Sequence, residues 1–169
     1  MKTFSTLTEL LSIGAPTATA LAAPGRAPLT FEQLRTQVAT TIAELNHAGI
    51  GRGDRVAIVL PNGPEMASAF ICVAAGATAA PLNPAYRAEE FEFYLTDLKA
   101  KALIVSSTDD TSARAVAKKL NVTVIELHAD SNSPAGSFSL QADSSDAAPA
   151  SNGGTAASDD IALILHTSG

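Results

Sequence analysis

With 169 residues, 46% of them hydrophobic, the chain can bury one substantial core. A net charge of −6 and a pI near 4.9, with no basic cluster beyond Lys118-Lys119, argue against a nucleic-acid or anionic-membrane surface, which needs clustered cations to release counterions. The single cysteine, Cys72, excludes a disulfide framework and a cysteine-based zinc site and suits packing in a reducing cytoplasm, and no apolar run reaches the ~20 residues of a membrane span.

Lys2, the mildly apolar stretch after it and small residues around Ala18 and Ala20 have the outline of a signal peptide. Glu9 interrupts that stretch, however, and Thr6-Leu7-Thr8-Glu9 reads as a capping box opening a short helix. The clearest helix lies between Leu29 and Gly53. Thr30 and Gln33 form a second capping box, Phe31, Leu34, Val38, Ile42 and Leu45 make one apolar stripe, and Gly49 stops the helix. Val56 to Leu60 is a continuous apolar strand of the kind buried on both faces in a parallel sheet. Pro61-Asn62-Gly63-Pro64 starts another helix, capped by Asn62 or Gly63, rich in small residues and ended by Gly76. A short strand follows around Thr78 to Ala80, then a turn at Pro81-Leu82-Asn83-Pro84. Next come an amphipathic helix from Arg87 to Asp97, a strand from Lys101 to Val105, a helix from Thr111 to Leu120 and a strand from Val122 to Leu127.

This alternation predicts an α/β fold, a doubly wound, mostly parallel sheet flanked by helices. Residues 1–127 are expected to form the α/β subdomain. The Ser-, Ala- and Asp-rich stretch 128–158, broken only by Phe138 and Leu140, is expected to be a surface linker. Residues 159–169 are expected to supply a final strand, Ile161 to Leu165, and an unfinished turn, so that the domain reads as truncated.

That turn, His166-Thr167-Ser168-Gly169, is the candidate site. At the end of an apolar strand, Thr167, Ser168 and Gly169 can offer hydroxyls and unshielded backbone N–H groups to phosphate oxygens, although the same residues also make ordinary polar turns. His166 has two readings, a pocket-lining residue or a packed, hydrogen-bonded neighbour of the loop. Glu89 and Glu92 share a solvated helix face, and Asp109-Asp110 and Asp159-Asp160 read as turn residues. His47 and His128 read as structural or solvent-facing.

Three segments in order resemble the adenylate-forming ligases, the AMP-binding superfamily of acyl-CoA synthetases, luciferases and peptide-synthetase adenylation domains. These are Leu29-Thr30-Phe31-Glu32-Gln33-Leu34, then Ala74-Ala75-Gly76-Ala77-Thr78-Ala79-Ala80-Pro81-Leu82-Asn83-Pro84, and His166-Thr167-Ser168-Gly169 as the first half of the family's phosphate loop. The run from Pro81 to Leu95, with His166 before Thr-Ser-Gly, is most similar to the oxalate-CoA ligase or peroxisomal-type CoA synthetase branch. The resemblance implies an acid–thiol ligase in which a carboxylic acid attacks the α-phosphate of Mg2+-ATP, pyrophosphate leaves, and coenzyme A then displaces AMP. It implies ATP contacts at Thr167, Ser168 and Gly169, with His166 beside them, and no catalytic or metal-binding residue in this stretch. The loop's lysine, the adenine-side segment, the magnesium-binding acid and the adenylation lysine would lie in the rest of the chain, and the fragment alone is expected to be inactive. The rival readings are a free-standing flavodoxin-like nucleotide- or phosphate-binding domain and a non-catalytic interaction lobe.

Overall fold

The computed structural model describes residues 3–143 and 148–166. Both capping boxes form. Thr6 Oγ1 accepts from the Glu9 amide at 3.2 Å and Glu9 Oε2 accepts from the Thr6 amide at 3.3 Å, which opens α1 (Leu7–Leu11). A short antiparallel ribbon follows, β1 (Thr19–Leu21) with β2 (Leu29–Thr30). Thr30 Oγ1 then accepts from the Gln33 amide at 3.2 Å while Gln33 Oε1 accepts from the Thr30 amide at 2.9 Å, opening α2 (Phe31–His47). Gly49 ends α2 with φ of 82°, a left-handed turn that a side chain would oppose, and the Ile50 amide returns to the Leu45 carbonyl at 2.8 Å. Arg35 fastens α1 to α2 by donating to the carbonyls of Leu11 and Gly14, each at 3.1 Å.

The alternation continues through β3 (Arg55–Val59), α3 (Pro64–Ala74), β4 (Thr78–Pro81), α4 (Ala88–Leu98), β5 (Ala102–Ser106), α5 (Ser112–Lys119), β6 (Thr123–His128) and β7 (Ser139–Ala142). The sheet order is β4-β3-β5-β6-β7, parallel throughout except that β7 runs antiparallel to β6. Successive strand residues face opposite ways. Val56, Ile58, Ile104 and Ile125 therefore pack into a core with α2 and α3, while Ala57, Val59, Leu103, Val105 and Val124 pack into a second core with α4 and α5. Two faces covered by helices make the sheet doubly wound, as expected. At Gly76 a Cβ would stand 2.7 Å from Ile42 Cγ1, so the α3–β4 corner depends on a residue without a side chain to let α2 approach.

The structure differs from the sequence reading in two places. The stretch 128–158, expected to be a surface linker, carries β7 and buries Ala135 and Phe138. Arg26 donates to the carbonyls of Ser133, Asp130 and Pro134 and pairs with Glu65, while Ser68 Oγ donates to the Gly136 carbonyl at 2.6 Å. A four-residue strand with alternating exposure, set in polar sequence, has too little apolar signal to be seen without its partner strand. The second difference is the final segment, expected to be a strand from Ile161 to Leu165, which makes one parallel bridge, Leu163 to Ala79.

Candidate functional site

The approach to the final segment is fixed from both sides. The Ala156 amide donates to the Ala75 carbonyl at 2.7 Å, and Asp160 takes a two-pronged bond from the Arg52 guanidinium, Nε to Oδ2 at 2.6 Å and the terminal nitrogen to Oδ1 at 3.2 Å. That guanidinium, helped by the Ala157 amide, holds the Asp160 carboxyl below the usual carboxylate range. The chain then runs parallel along the outer edge of β4. The Ala79 amide donates to the Ala162 carbonyl and the Ile164 amide to the Ala79 carbonyl, each at 3.0 Å, and Thr78 Oγ1 donates to the Ile161 carbonyl at 2.7 Å.

Parallel docking brings residue 166 to the carboxyl end of the sheet, the end at which open α/β sheets bind ligands. His166 lies over α4. Its ring centroid is 4.7 Å from that of Tyr94, and Nε2 is 3.0 Å from Asp97 Oδ2. Nδ1 is buried and has no hydrogen-bond partner among the described residues. Tyr94 in turn stacks on Tyr86 at 4.9 Å, and Tyr86 meets Phe91 edge-on at 5.9 Å. Tyr86 is set by the turn after β4, where Asn83 Oδ1 accepts from the Ala85 amide at 2.9 Å and the Asn83 carbonyl from the Tyr86 amide at 3.2 Å.

Tyr86 also lines a cavity of about 470 Å³ with Val59, Pro84 and residues 108–112. The strand order reverses at β3, and this cavity opens at the carboxyl side of that reversal. An aromatic stack thus leads from His166 to the crevice. Of the predicted site residues, Thr167, Ser168 and Gly169 lie outside the described residues; His166 is placed, and it is brought to Tyr94 and Asp97. Nothing in the sequence marked those two as partners. The only signal was their spacing on one helix, three residues apart.

The other polar groups have structural roles. Glu90 Oε2 accepts from the Arg87 amide at 2.9 Å and so caps α4, and Glu92 pairs with Lys119 at 2.8 Å. His47 lies exposed in the last turn of α2, and His128 pairs with Glu126 at 3.5 Å. Burial pushes the Cys72 thiol up to about 12, which leaves it a packing residue. Among the described residues there is no group of three or more His, Cys, Asp or Glu that could hold a metal ion, and no helix is long and apolar enough to cross a membrane.

Comparison with known proteins decides the family. The family model described as AMP-binding enzyme matches residues 14–169. The chain belongs to the AMP-binding enzyme family. It is 40% identical over 159 residues to "Probable CoA ligase CCL9" of Humulus lupulus, covering 89% of this chain and 29% of that protein. It is 39% identical over 172 residues to the oxalate–CoA ligase of Arabidopsis thaliana, covering 99% of this chain and 33% of that one. The ATP-bound crystal structure of MatB from Rhodopseudomonas palustris superposes with a TM-score of 0.74 at 27% identity, over 98% of this chain and 32% of its own. The chain thus spans about a third of the length of the relatives it matches. By residue type, the Thr167 and Ser168 hydroxyls and the Gly169 amide are hydrogen-bond donors, as phosphate oxygens require.

Proposed function

We propose that this chain is the N-terminal part of an AMP-forming acyl-CoA ligase, with the ATP phosphate loop opening at Thr167, Ser168 and Gly169. The observation that supports the reading is the parallel docking of 161–164 on β4, which leads His166 to the ligand-binding end of the sheet. ATP bound there would supply an activated α-phosphorus for the carboxylate, with Mg2+ and coenzyme A engaged by residues further along. This chain's own residues orient: β4 and Arg52 fix the approach, the hydroxyls and the glycine amide donate to phosphate oxygens, and α4 supports His166.

The acid we put first is oxalate, supported by the identity to a ligase of that name, with fatty and other carboxylic acids as the alternatives. The setting is cytoplasmic, which the lone buried thiol supports. The 169 residues alone would not turn over, because they need the rest of their chain to complete the site. The test is to incubate the complete gene product with Mg2+-ATP, coenzyme A and oxalate, short, medium or aromatic acids. Pyrophosphate release with formation of an acyl-CoA is expected with one of these acids; release with none of them sinks the reading.

The cavity at the strand-order reversal favours a second reading, a flavodoxin-like binding domain that holds a nucleotide without chemistry. Tight binding of ATP or flavin by the 169-residue chain alone would select it, since half a phosphate loop binds feebly.

A further inference from the structure

The run Ile161-Ala162-Leu163-Ile164-Leu165 is wholly apolar, with no charge and no proline. It is the same kind of run as Val56 to Leu60, which is buried on both faces in the middle of the sheet, yet it lies at the edge, beside β4. Edge strands are ordinarily blunted by charge, proline or a covering element, because a bare edge is a template for another strand. This edge is open. The Ala79 amide and carbonyl bond to the Ala162 carbonyl and the Ile164 amide, so the amide and carbonyl of Leu163 point away from β4, and among the described residues neither has a partner. Ile164 packs against the core of α4 and α5, while Ile161, Leu163 and Leu165 are exposed. Beside them a groove of about 440 Å³ opens between α1 and this segment, lined in part by Phe4, Leu7, Leu10, Ala74, Ala157 and Ala162.

We infer that 161–165 is an interior strand of a wider sheet, and that its outer edge and the adjoining groove are the docking surface for an extended apolar segment from the remaining part of the same protein. The chain spans about a third of the length of the relatives it matches, so a protein of their length has ample chain to supply that segment. A strand meets both demands of the surface. Its main chain pairs with the Leu163 amide and carbonyl, which a helix, with its own groups bonded internally, does not do, and its alternate side chains cover Leu163 and Leu165. A second copy of the chain offers only the same short edge, and two such edges side by side fall well below the roughly 1,200 Å² that a specific interface buries. The inference rests on the reading of the chain as the N-terminal part of a larger protein and not on that protein's chemistry.

The test follows the Leu163 amide and one introduced thiol in the complete gene product. Residue-resolved hydrogen exchange of the wild type is expected to show the Leu163 amide about 100-fold or more below its intrinsic rate, as in a paired interior strand. Leu165→Cys is expected to react with a polar maleimide about 20-fold or more slowly in the native protein than after unfolding in guanidinium. Neither effect should depend on protein concentration. A Leu163 amide at its intrinsic rate overturns the inference: with a fast thiol the edge is bare, and with a slow one a helix or loop covers it. Protection that grows with concentration, alongside a dimer in sedimentation velocity, overturns it in favour of a second copy. The exchange measurement needs no substitution, so it decides the matter even where Leu165→Cys fails to fold. No readout here uses turnover. A protein that releases no pyrophosphate with any acid overturns the ligase reading alone, and an exposed Leu163 amide in an active enzyme overturns this inference alone.

Discussion

Glu44, on the buried side of α2, shows how one carboxyl can work against its own fold. Burial raises its affinity for a proton, an effect the Leu140 amide only partly offsets, and among the described residues Oε2 has no hydrogen-bond partner. The sign follows: the folded state binds the proton more tightly than the unfolded chain, so the stability linked to this group is present at low pH and lost as pH rises through its raised value. Glu44→Gln should therefore melt higher than wild type at pH 7, with the gap closing toward pH 4 in thermal scans at stepped pH. Cys72 answers a different question. With its thiol pushed up to about 12, only about one molecule in 10⁴ is thiolate at pH 8, so the peptide carrying it should resist iodoacetamide in native protein and react once guanidinium unfolds it. Packing at Cys72 was legible in its apolar neighbours. The contact between Asp97 and His166 was not, because the two stand 69 residues apart and Asp97 belongs to a helix face that reads as solvated.

At the scale of elements, the parts that local chemistry encodes were readable. Thr30 with Gln33 wrote the start of α2, and the apolar run from Val56 wrote a strand buried on both faces. The parts that depend on a partner were not. β7 has a half-exposed alternation whose register only β6 defines, and the segment 161–165 is held by Ala79, Thr78 and Arg52 and not by its own propensity. That dependence can be measured. Thr78→Val removes the bond to the Ile161 carbonyl, whose loss is worth about 0.5–1.5 kcal/mol, and should speed exchange of the Ile164 amide roughly 2- to 10-fold. Amides shared by β3 and β5 should be unaffected. Equal acceleration throughout the sheet would mean that the segment is not a separate unit.

For the whole molecule, the informative surface is the outer side of that same segment. Ile161, Leu163 and Leu165 alternate along it at 58%, 39% and 59% exposure, an apolar row on a chain a third the length of its relatives. The 169-residue chain should self-associate through this row as concentration rises, and Leu163→Lys with Leu165→Lys should return it to a monomer in sedimentation velocity. Association that survives both charges would locate the contact elsewhere, with Phe93 on α4, at 62% exposure, next to examine. Fold class was legible at this scale because strand and helix lengths alternate so regularly. Of the candidate site the sequence named His166 but not Tyr94 and Asp97, which touch it, because they sit on a helix that sequence order separates from it.

The sheet's two cores also bear on how such a chain can change over generations. Val56 and Ile58 answer to α2 and α3, whereas Ala57 and Val59 answer to α4 and α5, although the four occupy adjacent codons. A replacement at 57 that enlarges the side chain must be accommodated within the core that holds Leu95 and Leu103, on the opposite face from the core of Leu34 and Val73. Substitutions at neighbouring positions of β3 are thus free to drift with separate sets of partners, and compensating pairs across a lineage should sort by odd and even position along the strand.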